Sequence, residues 1–410
     1  MIVRARTVVT MDRAPIEDGA VAISGSQIVD VGKFDEINRR NAGEIVDLGE
    51  QALLPGLINA HCHLDYTCLR GKISPQKTFA DWIRAINAEK AKLSPTDYLA
   101  SINEGFAEAK RFGTTTMANL TAFPDLIPQI TSRIRTWWFA ELIDVRAPER
   151  WNEIVDRAIE SLKKTENWGL APHALFTVSK NLYERCEGVA QQKNILLTTH
   201  LAESREEMEM FHDASGPLYE FLKSIGRPMD DCGNETPLEH FLRVIPQQRE
   251  AAQRSTRNDN GWLVAHLNEL TESDFELLER SKRQFHVVHS PRSHDYFKHS
   301  QFPFERLHSL RVNICLGTDS LASNQSLSLF AEMRAFQKKF SSLSPEVILQ
   351  MVTINPARAL GQENALGKIH PGGYADLLAV PFSSGDVFER IIAFMGEPRT
   401  IAGGEIMYAK

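Results

Sequence analysis

Leu53-Leu54-Pro55-Gly56-Leu57-Ile58-Asn59-Ala60-His61-Cys62-His63 is an apolar run, broken by Pro-Gly, that closes on two imidazoles. Short hydrophobic runs with that punctuation read as buried strands. Residues two apart on a strand point to one face, so His61 and His63 can share one ion while Cys62 points away. The pattern returns three times: Ile195–His200 with Glu203 just beyond, Trp262–His266, and Val312–Thr318 running into Asp319. Strand ends that carry imidazole and carboxylate predict a metal site assembled from distant parts of the chain.

Working outward, strands are predicted to end near His63, Asn119, Leu142, His173, His200, His266, His289 and Thr318, with amphipathic helical stretches such as Phe79–Leu93 and Thr96–Phe112 between them. The second stretch opens at Ser94-Pro95 and stops at Gly113, a cap with a first-turn proline and a terminator. Apolar strands alternating with helices predict an α/β fold, a (β/α)8 TIM-type barrel over residues 55–367. Residues 1–54 read as all-β, with Thr7-Val8-Val9-Thr10 and Ala20-Val21-Ala22-Ile23 as strands and Ile16-Glu17-Asp18-Gly19 as the turn between them. The tail, 368–410, carries Pro371-Gly372-Gly373-Tyr374-Ala375-Asp376 ahead of the β-like Leu377–Val380. It is expected to join the N-terminal strands in a small, discontinuous β-sandwich domain. Polar Gln247–Gly261 reads as a surface connection.

At 410 residues, 42% hydrophobic and 24% charged, the composition is that of an ordinary globular chain. A formal charge of −7 disfavours nucleic acid and anionic membranes as partners. No apolar stretch approaches the roughly 20 residues that span a bilayer, and the Met1–Arg6 start lacks a signal-peptide core. Five cysteines without a Cys-x-x-Cys pair argue against a disulfide framework. A cytoplasmic enzyme is the expectation.

In a barrel of this type the site forms at the C-terminal ends of the strands, where His61, His63, His173, His200, His266, His289 and Asp319 all fall. Three imidazoles and a carboxylate around a divalent ion, with a place left for water, make a hydrolytic arrangement. Asp319 can bind the ion and accept the water's proton; Glu203 can carry that proton to the leaving group; His266 can orient the attacking oxygen. Duller roles compete. A buried histidine is usually hydrogen-bonded core, and Asp319 in Gly317-Thr318-Asp319-Ser320 can be a helix cap. Cys62, Cys315 and Trp137-Trp138-Phe139 read as packing.

Pro55–Leu64, Thr199-His200-Leu201-Ala202-Glu203-Ser204, Val264-Ala265-His266 and Leu316–Ser320 resemble the motifs of the amidohydrolase superfamily. The resemblance extends to Ala171–Ser179 and Pro371–Asp376, and so covers nearly the whole chain. It is strongest to the branch of deaminases and chlorohydrolases that includes methylthioadenosine/S-adenosylhomocysteine deaminase, guanine deaminase and triazine hydrolases. That branch implies one metal ion, zinc or alternatively iron(II), on His61, His63, His200 and Asp319, with Glu203 and His266 catalytic and His173 touching substrate. Dinuclear relatives bridge two metals with a lysine where His173 stands, and the nearest lysine here, Lys180, falls in the following helix. The implied reaction is hydrolytic deamination of an aminated N-heterocycle, with an adenine nucleoside that bears an acidic tail as the preferred substrate. Loss of chloride or opening of a cyclic amide is the alternative. Association into a homo-oligomer is expected from the same resemblance.

The seventh strand ends His289-Ser290-Pro291-Arg292-Ser293-His294, where the deaminases carry an asparagine-rich loop. His289, Arg292 and His294 are therefore candidate substrate contacts, with Arg292 able to hold the acidic part or else to pair with a protein carboxylate. Trp82 can cover a flat ring, or join Ile83 and Ile86 in a buried helix stripe. Arg146 and Arg150 are further candidates after the third strand.

Overall fold

The computed structural model describes residues 1–131, 134–245, 261–281 and 285–407. The stretch read as a surface connection, Gln247–Gly261, lies outside these residues except for Gly261. Both ends of the chain build one sheet from β1 (Ile2–Val8), β2 (Ile16–Ser24), β3 (Gln27–Lys33), β4 (Ile45–Asp47) and β5 (Gln51–Pro55). The second sheet comprises β6 (Leu57–His63), β7 (Thr114–Thr121), β8 (Arg135–Leu142), β9 (Trp168–Pro172), β10 (Leu196–Leu201), β11 (Trp262–His266), β12 (Phe285–His289), β13 (Asn313–Leu316) and β14 (Asp319–Ser320). β15 (Leu377–Pro381), β16 (Arg399–Ala402) and β17 (Glu405–Met407) return to the first sheet, in the order β17-β16-β15-β5-β1-β2-β3 with β4 also on β1.

Every pairing in the second sheet is parallel, and its order runs β13-β12-β11-β10-β9-β8-β7-β6-β14. β13 and β14 are one stretch of chain interrupted at Gly317-Thr318. The Gly317 N–H donates to the His289 carbonyl at 3.0 Å and the Thr318 N–H to the His61 carbonyl at 3.0 Å, so this stretch is stitched to both β12 and β6. The ladder returns to its start, which makes the architecture TIM-like.

The helices follow local signals. Pro95–Arg111 begins with a reciprocal capping box between Ser94 and Asp97 and ends before Gly113, whose φ of +83° suits glycine. Phe79–Lys90 is capped by Thr78, whose hydroxyl accepts from the Asp81 N–H at 3.0 Å.

Two details of the N-terminal segment differ from the sequence reading. It contains a helix, Phe34–Arg40, and Ile16–Gly19 is the start of β2 rather than a turn, with Ile16 opposite Val8 and Gly19 opposite Ala5. Gly19 serves packing there: a Cβ would stand 2.6 Å from Val8 Cγ2.

Strand parity sorts the barrel's side chains. One apolar cluster takes Ile58, Ala60, Ala118, Leu120, Phe139, Ala171, Leu196, Leu263, Val288 and Cys315 from all eight barrel strands, and so fills the interior. Their alternate neighbours, such as Met117, Trp138, Leu197, Val287 and Leu316, pack outward in the cluster shared with the helices. Cys62, Cys315 and Trp137-Trp138-Phe139 are buried in these layers.

Candidate metal centre

β6 does not keep its parity. Ile58 and Ala60 point inward, yet Cys62 packs outward, because the pairing with β7 shifts register between Asn59 and Cys62. That irregularity brings His61 and His63 inward together, at a ring separation of 4.9 Å. His200, at the end of β10, joins them at 4.9 Å from His61 and 5.3 Å from His63. One ligand nitrogen from each of the three lies within 4.8 Å of the others, and His63 Nε2 and His200 Nε2 stand 3.3 Å apart. Donors at zinc–nitrogen distance around a tetrahedral ion stand about 3.4 Å apart, so the triad fits one cation.

The surroundings aim these nitrogens. His200 Nδ1 is 2.9 Å from the His173 carbonyl and acts as donor there, which leaves Nε2 with its lone pair toward the centre. His63 Nδ1 lies 3.6 Å from Glu141 Oε1. Both ring nitrogens of buried His61 lack a hydrogen-bond partner among the described residues, an arrangement a cation would resolve. Burial, as the largest cause, holds His61, His63, His173 and His266 well below the ordinary imidazole range, so these rings are neutral and their lone pairs available.

Asp319 supplies the carboxylate. Its Oδ1 stands 3.8 Å from His61 Nε2 and 3.9 Å from His63 Nε2, while Oδ2 accepts from the Ser293 hydroxyl at 2.7 Å. It sits in β14 with φ +55° and caps no helix. His266 is also left-handed, at φ +76°, which turns inward a side chain that strand parity would send outward. Its Nε2 is 3.6 Å from Glu203 Oε1. Glu203 is anchored through its backbone, the N–H donating to Glu207 Oε2 at 2.8 Å and the carbonyl accepting from Asn268 Nδ2 at 2.9 Å. Burial, reinforced by the Asp319 and Glu207 charges, pushes the Glu203 carboxyl well above its usual range.

A cavity of about 780 Å³ opens onto this cluster and is lined by His63, His173, His200, Glu203, His266 and Asp319. His173 follows β9, with Nδ1 2.8 Å from Thr177 Oγ1 and its ring 4.7 Å from His200. Lys180 opens the helix Lys180–Lys193 and lies beside Glu184 at 3.6 Å. Trp82 lines the cavity half-buried, 4.8 Å edge-on to Phe297.

Three candidate contacts stand apart from the cavity wall. His289 has the outward parity of Val287 and stacks at 4.0 Å on Phe302. Pro291 starts a helix that carries His294 behind the wall, its ring 5.0 Å from His289. Arg292 is held by the protein, at 2.8 Å from Ser326 Oγ, 3.3 Å from Gln325 Oε1 and 4.0 Å from Glu332 Oε1. Of the two open readings for Arg292, contacts within the protein are the ones formed.

Sequence reasoning passed over the groups behind the first contacts: Ser293 on Asp319, Glu141 beside His63, and Glu207 under Glu203. Only Glu207 left a trace, as the third helical residue after the cap Ser204. Gly317 is a further one. A Cβ there would meet His61 O at 2.7 Å and His61 Cβ at 2.9 Å. Gly317→Ala is expected to cost about 1–3 kcal/mol in chemical denaturation and to lower metal content. An unchanged denaturation midpoint would show that β6 and β14 tolerate separation.

The model of the amidohydrolase family matches residues 52–406. A 5-methylthioadenosine/S-adenosylhomocysteine deaminase of Syntrophobacter fumaroxidans is 30% identical over 394 residues, which cover 90% of this chain and 82% of that protein. An adenosine deaminase of Xanthomonas campestris solved with bound zinc has a TM-score of 0.81 at 26% identity, over 99% of this chain and 92% of that one. The aminofutalosine deaminase of Helicobacter pylori, solved with methylthio-coformycin, has a TM-score of 0.85 over 99% of this chain and all of its own, a likeness of fold at 21% identity.

Proposed function

This chain belongs to the amidohydrolase family, and on that premise we propose that it is a metal-dependent hydrolytic deaminase of an aminated N-heterocycle, its substrate an adenine-containing nucleoside. The observation that carries the reading is the convergence of His61, His63, His200 and the Asp319 carboxylate on one point, with Glu203 and His266 at its edge. Those four side chains would hold a single divalent ion, zinc or iron(II). When bound, such an ion acidifies water and supplies a nucleophile near neutral pH.

The chain's own groups do the rest. Asp319 Oδ1 takes a proton from the attacking water. Glu203, whose raised carboxyl carries a proton, gives it to the ring nitrogen. The proton held by Asp319 passes to the departing amine, so that the C–N bond breaks and ammonia leaves, and the hydroxyl proton of the adduct returns to Glu203. His266, left-handed and fixed at the end of β11, orients the attacking oxygen. His173 offers its free Nε2 to the heterocycle, and Trp82 covers it from the wall.

The test is ammonia release from metal-verified protein across a nucleoside and nucleobase panel. Turnover of an adenine nucleoside is expected; no turnover of any aminated heterocycle removes the reading. Chloride or ring-opened product from the same panel moves it to the alternative chemistry.

The same reading takes residues 55–367 as the catalytic domain and 1–54 with 368–410 as a small β-sandwich, supported by the sheet that both termini share. It takes the protein as a cytoplasmic homo-oligomer acting on a small molecule. Five free thiols are in keeping with a reducing compartment, and no helix among the described residues is long and apolar enough to cross a membrane.

A further inference from the structure

Helix Phe79–Lys90 ends on a cation that the fold turns inward. Its neighbours are paired on the outer face: Arg84 Nη1 lies 2.8 Å from Asp81 Oδ1, and Lys92 Nζ, just past the helix, 2.6 Å from Glu89 Oε1. Lys90 instead sets its ammonium 4.6 Å from the centre of the Tyr66 ring, within the wall of the cavity that the imidazoles line. Tyr66 in turn stacks on His63 at 6.0 Å. The wall thus runs from imidazole to phenol to ammonium. Lys90's charge is felt at His63 and His173, where it adds to burial in lowering both rings.

Among the described residues no carboxylate lies within ion-pair distance of Lys90; the nearby Asp65, whose buried Oδ1 has no hydrogen-bond partner, feels its charge from further off. Glu141 lies 3.6 Å from His63 Nδ1, and Asp65 accepts from the Ala122 N–H at 2.8 Å and the Thr121 hydroxyl at 3.2 Å. An ammonium has three donors and no acceptor, and a ring face satisfies its charge but none of those donors. Arg146, after β8, also lines the cavity with no ion-pair partner among the described residues, whereas Glu153 grips Arg150 at 2.6 and 2.9 Å. The cavity therefore presents unpaired positive charge beside its apolar walls of Phe79, Ile83 and Phe176.

We propose that Lys90 determines specificity by binding a carboxylate carried on a side arm of the heterocyclic substrate. The ammonium contacts the Tyr66 ring and that ring contacts His63, which sets Lys90 one side chain back from the metal centre, so the anion belongs to a substituent and not to the reacting ring. This assigns to Lys90 the acid recognition that the sequence had suggested for Arg292. It rests on the deaminase reading for the heterocycle alone.

The experiment compares 5′-deoxy-5′-(2-carboxyethylthio)adenosine with its methyl ester, by calorimetry on metal-loaded Glu203→Gln protein so that turnover is slowed during the titration, with ammonia release followed in parallel on the unmodified enzyme. The acid is expected to bind about 10- to 100-fold tighter than the ester, as a charge-assisted hydrogen bond would give. Lys90→Met should reduce that ratio to within about twofold, while Lys90→Arg and Lys92→Met should keep it. Equal binding of acid and ester, a preference that survives Lys90→Met, or its equal loss in Lys92→Met overturns the proposal. A Lys90-dependent preference without ammonia release removes the deaminase reading and leaves the carboxylate subsite standing.

Discussion

Asp319→Asn is expected to lower kcat by about 10³-fold or more, with metal occupancy reduced but measurable. The carboxylate is placed for two tasks at once. Oδ1 faces His61 and His63 at 3.8 and 3.9 Å, and Oδ2 is fixed by the Ser293 hydroxyl at 2.7 Å. Asparagine fits the same space but brings no negative charge and no basic oxygen. If its oxygen takes the Oδ1 position, the amide nitrogen accepts nothing from Ser293; if it takes the other, an N–H points at the cation. Both tasks therefore fail together. Parallel assay of turnover and elemental analysis checks this, and activity within tenfold of the unmodified enzyme would mean that Asp319 is a structural carboxylate.

Glu203→Gln tests the separation of metal binding from proton transfer. Glu203 leaves β10 three residues after His200, and its backbone is pinned by Glu207 and Asn268 rather than by its own carboxylate. The glutamine variant should therefore fold normally and hold a full complement of metal, yet lose about 10²-fold or more in kcat. KM should change little, since the lost proton transfer belongs to the transition state. Metal loss equal to that of Asp319→Asn would show that Glu203 ligates the ion, and the division of labour proposed above would fall.

The barrel was legible because parallel strands buried on both faces appear as short apolar runs, and each run ended where the structure ends its strand to within a few residues. The N-terminal helix Phe34–Arg40 was not, since seven residues with only Ile37 buried give no sustained period. Among the site residues, spacing conveyed that His61 and His63 share a face. It carried no sign that a register shift decides which face, or that His266 reaches the centre through a left-handed backbone. Arg292, His289 and His294 attracted notice by residue type alone, and parity with a new helix start placed them behind the wall.

By itself, then, the sequence determined the succession of strands and helices and the donor types at their ends, because burial period and caps are local properties of the chain. Only the tertiary structure decided which donors converge, which are turned away, and that Lys90 faces the cavity with no carboxylate paired to it among the described residues. Closure of the sheet sets those distances, and closure joins β6 to a strand some 250 residues further along.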